Sequence, residues 1–171
     1  MKSINSKIPL YLYTLYFHSQ NRSLQMKHFL MILFICGLIL AAGCGSSVQT
    51  ISVDLTCDEN CNENNAIVVK IYQLKNADKF RNASFESLIF NPEEILGDDL
   101  IPDSKYEKTL IPGESFQINE YEIKPEAGYI GIVGDFHSPA KDSWFQVVSV
   151  YDIDKLNIMV HENSISITKE D

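Results

Sequence analysis

Apolar and polar residues alternate along most of the chain after residue 50, which is the pattern of strands with one buried face. Ile51, Val53 and Leu55 alternate with polar residues, and residues 67–74 form a β-branched run typical of a strand near the middle of a sheet. Further strands are predicted at residues 106–111, 116–123, 129–136, 144–150, 156–160 and 165–168. Turn signals separate these strands, so the pattern predicts an all-β, two-sheet β-sandwich.

Two irregularities interrupt this alternation. The apolar phase slips near Asn119 and Glu120, which predicts a β-bulge. After the second strand, Ser84 is suited to cap a short helix through Phe90. Pro92 is suited to the first position of a further helical turn that ends at Gly97. Residues 76–101 are therefore predicted to be a short helical insertion.

The segment before Cys44 has the pattern of an export signal. A basic start at Met26-Lys27 precedes the uncharged run from Phe29 to Leu40 and the sequence Ala-Ala-Gly-Cys. The run is too short for a transmembrane helix, which needs about 20 apolar residues. Its end resembles the lipobox of bacterial lipoprotein precursors, which implies cleavage before Cys44, with diacylglycerol and N-terminal acyl chains then attached to that cysteine. The alternative is a general signal peptide in which Cys44 is incidental.

These signals divide the chain into four parts. Residues 1–25 do not fit an export signal and are interpreted as an extension from an upstream start codon. The alternative is that they are an unusually long N-terminal region of the signal peptide. Residues 26–43 are predicted to be the lipoprotein signal peptide and residues 44–50 a lipidated tether. Residues 51–171 are predicted to form the sandwich domain, which is long enough to fold around its own core.

The charge of the mature part argues against two classes of partner. All 23 Asp and Glu lie after Cys44 with ten of the 14 Lys and Arg, so the mature part carries a charge of −13. Such an acidic domain should repel nucleic acid and anionic lipid surfaces. Membrane attachment is therefore expected to come from the acyl chains, because each buried CH₂ contributes about 0.8 kcal/mol.

Cys57 and Cys61 are the cysteines that remain outside the signal and the lipid site. In a chain exported to an oxidising compartment, a disulfide between them is favoured. Free thiols and a metal site are the alternatives. Zinc would need further ligands, and none stand nearby in the sequence.

Catalytic chemistry is not indicated. His137 and His161 lie outside metal or triad spacings and are interpreted as surface residues, and no phosphate loop or nucleophile elbow occurs. The chain is therefore predicted not to be an enzyme and to have no metal site. A lipid-anchored ligand-binding sandwich for calcium or glycan is the alternative function. Its candidate calcium ligands, read otherwise as solvated charges, are Asp135, Asp142, Asp152 and Asp154.

The strand at residues 67–75 reads Ile-Val-Val-Lys-Ile-Tyr-Gln-Leu-Lys, and residues 83–88 with 96–100 form the predicted helical segment. Together these segments resemble a strand and the helical segment of the type VI secretion lipoprotein family TssJ, also called SciN or VasD. Further similar segments follow in the family's order at residues 112–114, 129–133, 144 and 163–167. The resemblance covers nearly all of the mature chain.

This resemblance implies a transthyretin-like sandwich that is lipid-anchored on the periplasmic face of the outer membrane. Gly45 follows Cys44 where an Asp commonly retains lipoproteins in the inner membrane, which favours the outer membrane. The expected partner is the periplasmic domain of a TssM-like inner-membrane protein, in the trans-envelope complex of a type VI secretion system. A transthyretin-like hydrolase is a third reading, for which the necessary constellation of His and Arg residues is missing.

The loop between the first two strands is implied to contact that partner. It is polar and lies between two predicted strands, as binding loops on rigid scaffolds often do. Its alternative reading is a solvent loop that tolerates variation. The candidate contact residues are Asp58, Glu59, Asn60, Asn62, Glu63, Asn64 and Asn65.

Overall fold

Eight strands follow the predicted alternation in the part of the chain that the computed structural model describes, residues 48–170. They are β1 (Gln49–Cys57), β2 (Ile67–Leu74), β3 (Tyr106–Leu110), β4 (Ser115–Ile123), β5 (Tyr129–Gly134), β6 (Phe145–Ser149), β7 (Lys155–Val160) and β8 (Ile165–Glu170). The predicted upstream extension, signal peptide, lipid site Cys44 and tether up to Ser47 lie outside the described residues. β1 begins at Gln49, so the end of the predicted tether is already part of a strand.

The strands form two four-stranded sheets, and the predicted all-β sandwich is confirmed. Sheet A has the order β4-β1-β7-β8, in which β1 and β7 are parallel and the other pairs antiparallel. Sheet B has the order β3-β2-β5-β6 and is antiparallel throughout. The inward-facing apolar residues of β1 are buried with those of β2, β5 and β7, and they form one core between the sheets.

The predicted bulge is present in β4. Ile51 pairs with Tyr121 and Val53 pairs with Ile118, so Asn119 and Glu120 together lie opposite one residue of β1. This extra residue explains why the apolar phase of β4 changes, because two residues on a bulged strand face one on its partner.

The predicted helical insertion lies between β2 and β3. It contains α1 (Asp78–Asn82), α2 (Phe85–Phe90), α3 (Pro92–Leu96) and a 3₁₀ turn (Gly97–Asp99). Ser84 caps α2 as expected, because its side chain accepts a hydrogen bond from the backbone N–H of Ser87 at 3.2 Å. Pro92 begins α3, and Gly97 follows it with φ of 52°. Among residues 48–170, no helix is both long enough and apolar enough to cross a membrane.

The insertion covers the outer face of sheet B. Alternate residues of a strand point to opposite faces, and on the outer face Tyr72 contacts Phe80 of α1 with ring centroids 6.2 Å apart. Gly131 of β5 pairs with Tyr72, and a Cβ placed there would come within 2.6 Å of Phe80. Phe80 also contacts Phe145 at 5.9 Å. The missing side chain at Gly131 therefore makes room for the Phe80 ring.

Two buried polar residues of β2 connect it to its neighbours. On the outer face, Lys70 donates a hydrogen bond from Nζ to the backbone carbonyl of Ile89 in α2, at 2.9 Å. On the inner face, Gln73 donates to the carbonyl of Glu122 at 2.7 Å and accepts from the backbone N–H of Lys124 at 2.8 Å. Lys70 therefore joins sheet B to the helical insertion, and Gln73 joins the two sheets.

Candidate partner-binding loop

The first loop, residues 58–66, leaves the end of β1 and is fastened there covalently. Cys57 ends β1, and the structure joins it to Cys61 by a disulfide with a Cα–Cα distance of 5.7 Å. Both cysteines are buried. The disulfide therefore holds the start of the loop against the core.

The middle of the loop is a left-handed turn. Asn62, Glu63 and Asn64 have φ values of 47°, 55° and 63° within the short helical turn Cys61–Asn64. Asn is enriched several-fold in this region, whereas an ordinary side chain such as that of Glu63 rarely occupies it. The Asn65 side chain donates to the backbone carbonyls of Asn62 and Glu63, at 3.2 and 3.1 Å. These two bonds hold the turn in its unusual conformation.

Asn62 was predicted to contact the partner, and the structure instead gives its side chain an internal role. Only 4% of the residue is exposed. Its Nδ2 donates to the carbonyl of Ala66 at 2.7 Å, and its Oδ1 accepts from the backbone N–H of His137 at 2.8 Å. The side chain is therefore used within the domain, because its hydrogen-bonding groups already have protein partners.

Asp58 and His161 connect the loop to β8, an edge strand of sheet A. Asp58 Oδ2 and His161 Nδ1 are 2.6 Å apart, and His161 Nε2 is 2.8 Å from the hydroxyl of Ser166 in β8. This order of groups also occurs in serine hydrolases. Here Ser166 lies on the exposed edge strand β8, and the three groups join the loop to that strand. His161 thus lies partly at the surface, and it also connects the loop to β8.

The remaining predicted contact residues are exposed: Glu59, Asn60, Glu63, Asn64 and Asn65. The loop thus presents two carboxylates and several amides on a backbone held at four points. Those points are the disulfide, the Asp58–His161 contact, the Asn62 side chain and the Asn65 side chain. A binding loop loses conformational entropy when it becomes ordered on its partner. A loop that is already held in one conformation loses less of this entropy on association.

The turn between β3 and β4 lies directly beside the loop. The backbone N–H of Cys57 donates to the carbonyl of Glu114 at 2.9 Å, and the N–H of Gly113 lies within hydrogen-bond distance of the carbonyls of Cys57 and Asp58. The Glu114 carboxylate accepts from the backbone N–H of Ile111 at 2.9 Å and lies 3.0 Å from Lys108 Nζ. These contacts, the Ile111 bond first, lower the pKa of Glu114 below its usual value.

Metal-binding residues do not converge in the described part of the chain. Residues 48–170 contain no group of three or more His, Cys, Asp or Glu that could hold an ion. The four aspartates considered as calcium ligands therefore do not assemble a site with one another.

Comparison with known proteins agrees with this architecture. The profile of the type VI secretion lipoprotein family, which includes VasD, EvfM and TssJ, matches residues 49–164. That match covers more than half of the 171 residues. No curated protein matches the chain by sequence.

Three solved structures share the fold. The crystal structure of the type VI secretion lipoprotein TssJ1 from Pseudomonas aeruginosa has a TM-score of 0.66 and 23% identity, covering 73% of this chain and 98% of that one. A chain of a type VI membrane complex has a TM-score of 0.64 and 25% identity, covering 71% and 99%. A chain in a structure of the TssM C-terminal domain from EAEC has a TM-score of 0.61 and 23% identity, covering 71% and 98%. The likeness extends over nearly the whole length of each relative and confirms the transthyretin-like sandwich. Because the family profile covers most of the domain, the chain belongs to the TssJ family of type VI secretion lipoproteins.

Proposed function

We propose that this lipoprotein is anchored through Cys44 to the periplasmic face of the outer membrane and binds the periplasmic domain of a TssM-like inner-membrane protein. In that position it would help to assemble the trans-envelope complex of a type VI secretion system, a structural role without catalysis. The family match over residues 49–164 is the observation that carries this proposal. The likeness to a chain in a TssM C-terminal domain structure supports the choice of partner.

The first loop is the proposed contact, and its construction supports this. A polar loop that is held in one conformation on a rigid scaffold suits specific recognition, because little ordering is needed on binding. The exposed carboxylates of Glu59 and Glu63 would favour a basic surface on the partner.

Binding of the full-length lipoprotein, purified from membranes in detergent, to the periplasmic C-terminal domain of the TssM-like protein from the same organism tests the proposal. The loop variant replaces Glu59 and Asn60 by Ser and Glu63 and Asn64 by Gly, because Gly accepts the positive φ at these positions. It keeps Cys57, Asp58, Cys61, Asn62 and Asn65. The four points that hold the loop therefore remain, while four of its five exposed candidate side chains are removed.

The matched control makes the same kinds of change at the opposite end of the sandwich. Glu126→Ser and Asp152→Gly alter exposed acidic residues, and Asp152 also has a positive φ of 53°. We expect binding at micromolar affinity or tighter, weakened by the loop variant and unchanged by the control. Failure of the folded wild-type protein to bind contradicts the proposed partner. Equal binding by the loop variant moves the contact away from the loop.

Anchoring has its own test. Mass spectrometry of the membrane-extracted protein should identify Cys44 as the first residue, carrying the mass of diacylglycerol and acyl chains. Cys44→Ser should abolish that modification and release the protein from outer-membrane fractions. An unmodified N-terminus at Cys44, or unchanged fractionation of the variant, contradicts lipid anchoring at this residue.

A further inference from the structure

The β3–β4 turn, residues 111–114, carries an apolar side chain beside the first loop. Ile111 is 58% exposed, and the first loop beside its turn is mostly polar. The turn is closed by a backbone bond from Glu114 N–H to the Ile111 carbonyl at 3.0 Å and by the Glu114 carboxylate bond to Ile111 N–H at 2.9 Å. The backbone of Ile111 is therefore held in place.

Its position distinguishes Ile111 from the other exposed apolar residues of the described chain. Phe90 and Ile95 lie on the helical insertion. Val48, just before β1, and Tyr151, after β6, lie at the opposite end of the sandwich. Met159 lies within β7, where it pairs with Thr56 of β1, and belongs to no turn. Ile111, by contrast, belongs to a turn whose Gly113 and Glu114 bond directly to Cys57 and Asp58. The turn and the first loop therefore form one continuous surface at one end of the domain.

We propose that the contact surface for the TssM-like partner is composite, with Ile111 as its apolar contact and the exposed residues of the first loop as its polar border. This inference rests on the proposed function. Protein interfaces commonly place a desolvated apolar anchor within a polar rim, and the rim excludes water from the anchor. The partner site that fits is a small apolar depression bordered by basic or amide groups, because Glu59 and Glu63 lie on the loop side.

The same binding assay tests this with single substitutions in the full-length lipoprotein. Ile111→Ser removes the apolar contact, and Ile111→Val retains most of it. Tyr151→Ser and Phe90→Ser are matched controls, because these side chains are also largely exposed, at 70% and 73%. We expect Ile111→Ser to weaken binding by about tenfold, which is the range of an interface anchor. Ile111→Val should bind nearly as well as the wild type, and both controls should bind equally well. Thermal unfolding of each variant checks that the domain is intact.

The outcomes separate this inference from the function on which it rests. Wild-type binding that Ile111→Ser leaves unchanged overturns the composite surface and leaves the proposed partner standing. A larger loss from Phe90→Ser than from Ile111→Ser overturns it too, since the apolar contact would then lie on the helical insertion. If the folded wild type does not bind, the proposed function fails and the inference falls with it.

Discussion

Two long connections of the sandwich, the first loop and the helical insertion, are held in place by different forces. The insertion places Phe80, Leu88 and Leu96 among the fully buried side chains, and it covers one face of sheet B. The first loop buries only Cys61 and Asn62 and is held by a disulfide and by hydrogen bonds. The buried apolar side chains of the insertion are part of the common core and stabilise the whole domain. The disulfide and the polar contacts of the loop hold only the residues near them. Damage to the insertion should therefore destabilise the whole domain, and damage to the loop should change mainly the loop.

The largest expected effect comes from the insertion. Phe80→Ala removes a buried ring that contacts Tyr72 and Phe145, and it should lower the free energy of unfolding by about 3–5 kcal/mol. Urea unfolding followed by circular dichroism measures this. Phe90→Ala is the control, because Phe90 is exposed and its loss should change stability by less than about 0.5 kcal/mol. Similar effects from both variants would contradict the assignment of Phe80 to the core.

The reverse change tests the same contact. Gly131→Ala places a Cβ within 2.6 Å of the Phe80 ring, and overpacking of this kind costs about 1–3 kcal/mol. Phe80→Leu should partly relieve the clash, so the double variant should be less destabilised than the sum of the two single variants. Additive effects in urea unfolding would show that the ring and the strand do not meet as described.

Loss of the disulfide should have a smaller effect than loss of Phe80. Replacing Cys57 and Cys61 together by Ala opens a very short covalent loop, and the chain-entropy model gives about 2 kcal/mol for it. The melting temperature of the double variant should fall, and its near-ultraviolet spectrum should remain that of a folded sandwich. The control is a reductant titration of the wild type. A loss of stability as large as that of Phe80→Ala would contradict the local role of the disulfide.

Alternation and local end signals were sufficient to predict the scaffold. The apolar positions of β1 alternate with polar ones, and β2 is a continuous β-branched run. Ser84 and Pro92 act on their own helices. The bulge at Asn119 and Glu120 could also be predicted, because the extra residue shifts the apolar phase within one strand. Each of these features depends on neighbours in sequence.

The fastening of the loop could not be predicted in the same way. Asp58 and His161 are separated by 103 positions, and Asn62 and His137 by 75. Asp58 meets His161 because β1 pairs in parallel with β7 and brings the ends of both strands together. Asn62 meets His137 because the end of β5 lies beside the start of β2, which follows the loop. No local pattern reveals these strand pairings, so Asn62 was taken for an exposed contact residue and the contacts of His161 were not predicted. Helix α1 was included in the insertion but not delimited, because its N-cap position is Ala77, whose side chain cannot accept a capping hydrogen bond.

The Asp58–His161 contact should contribute less than the disulfide. Both side chains are 35% exposed, so His161→Gln should cost roughly 0.5–1 kcal/mol, as partly solvated polar contacts do. Asp58→Asn and the double variant complete a double-mutant cycle, in which we expect non-additive effects. Hydrogen exchange should show faster exchange at residues 58–66 and unchanged exchange in β2. Uniformly faster exchange would contradict a contact that acts on the loop alone.

The smallest effect should appear at Glu114, on the turn that borders the loop. The backbone N–H of Ile111 and then Lys108 lower the pKa of this carboxyl below its usual 4.5. A lowered folded-state pKa means that the unfolded chain binds the proton more readily, so the carboxylate stabilises the fold at neutral pH and this contribution is lost as the pH falls below 4.5. Glu114→Gln should therefore lower the melting temperature slightly near neutral pH, and the difference from wild type should shrink in acid. Glu126→Gln, at the opposite end, is the control and should show little difference at either pH. A Glu114→Gln difference that grows as the pH falls would contradict this sign and, with it, the carboxylate bond that holds Ile111 beside the first loop.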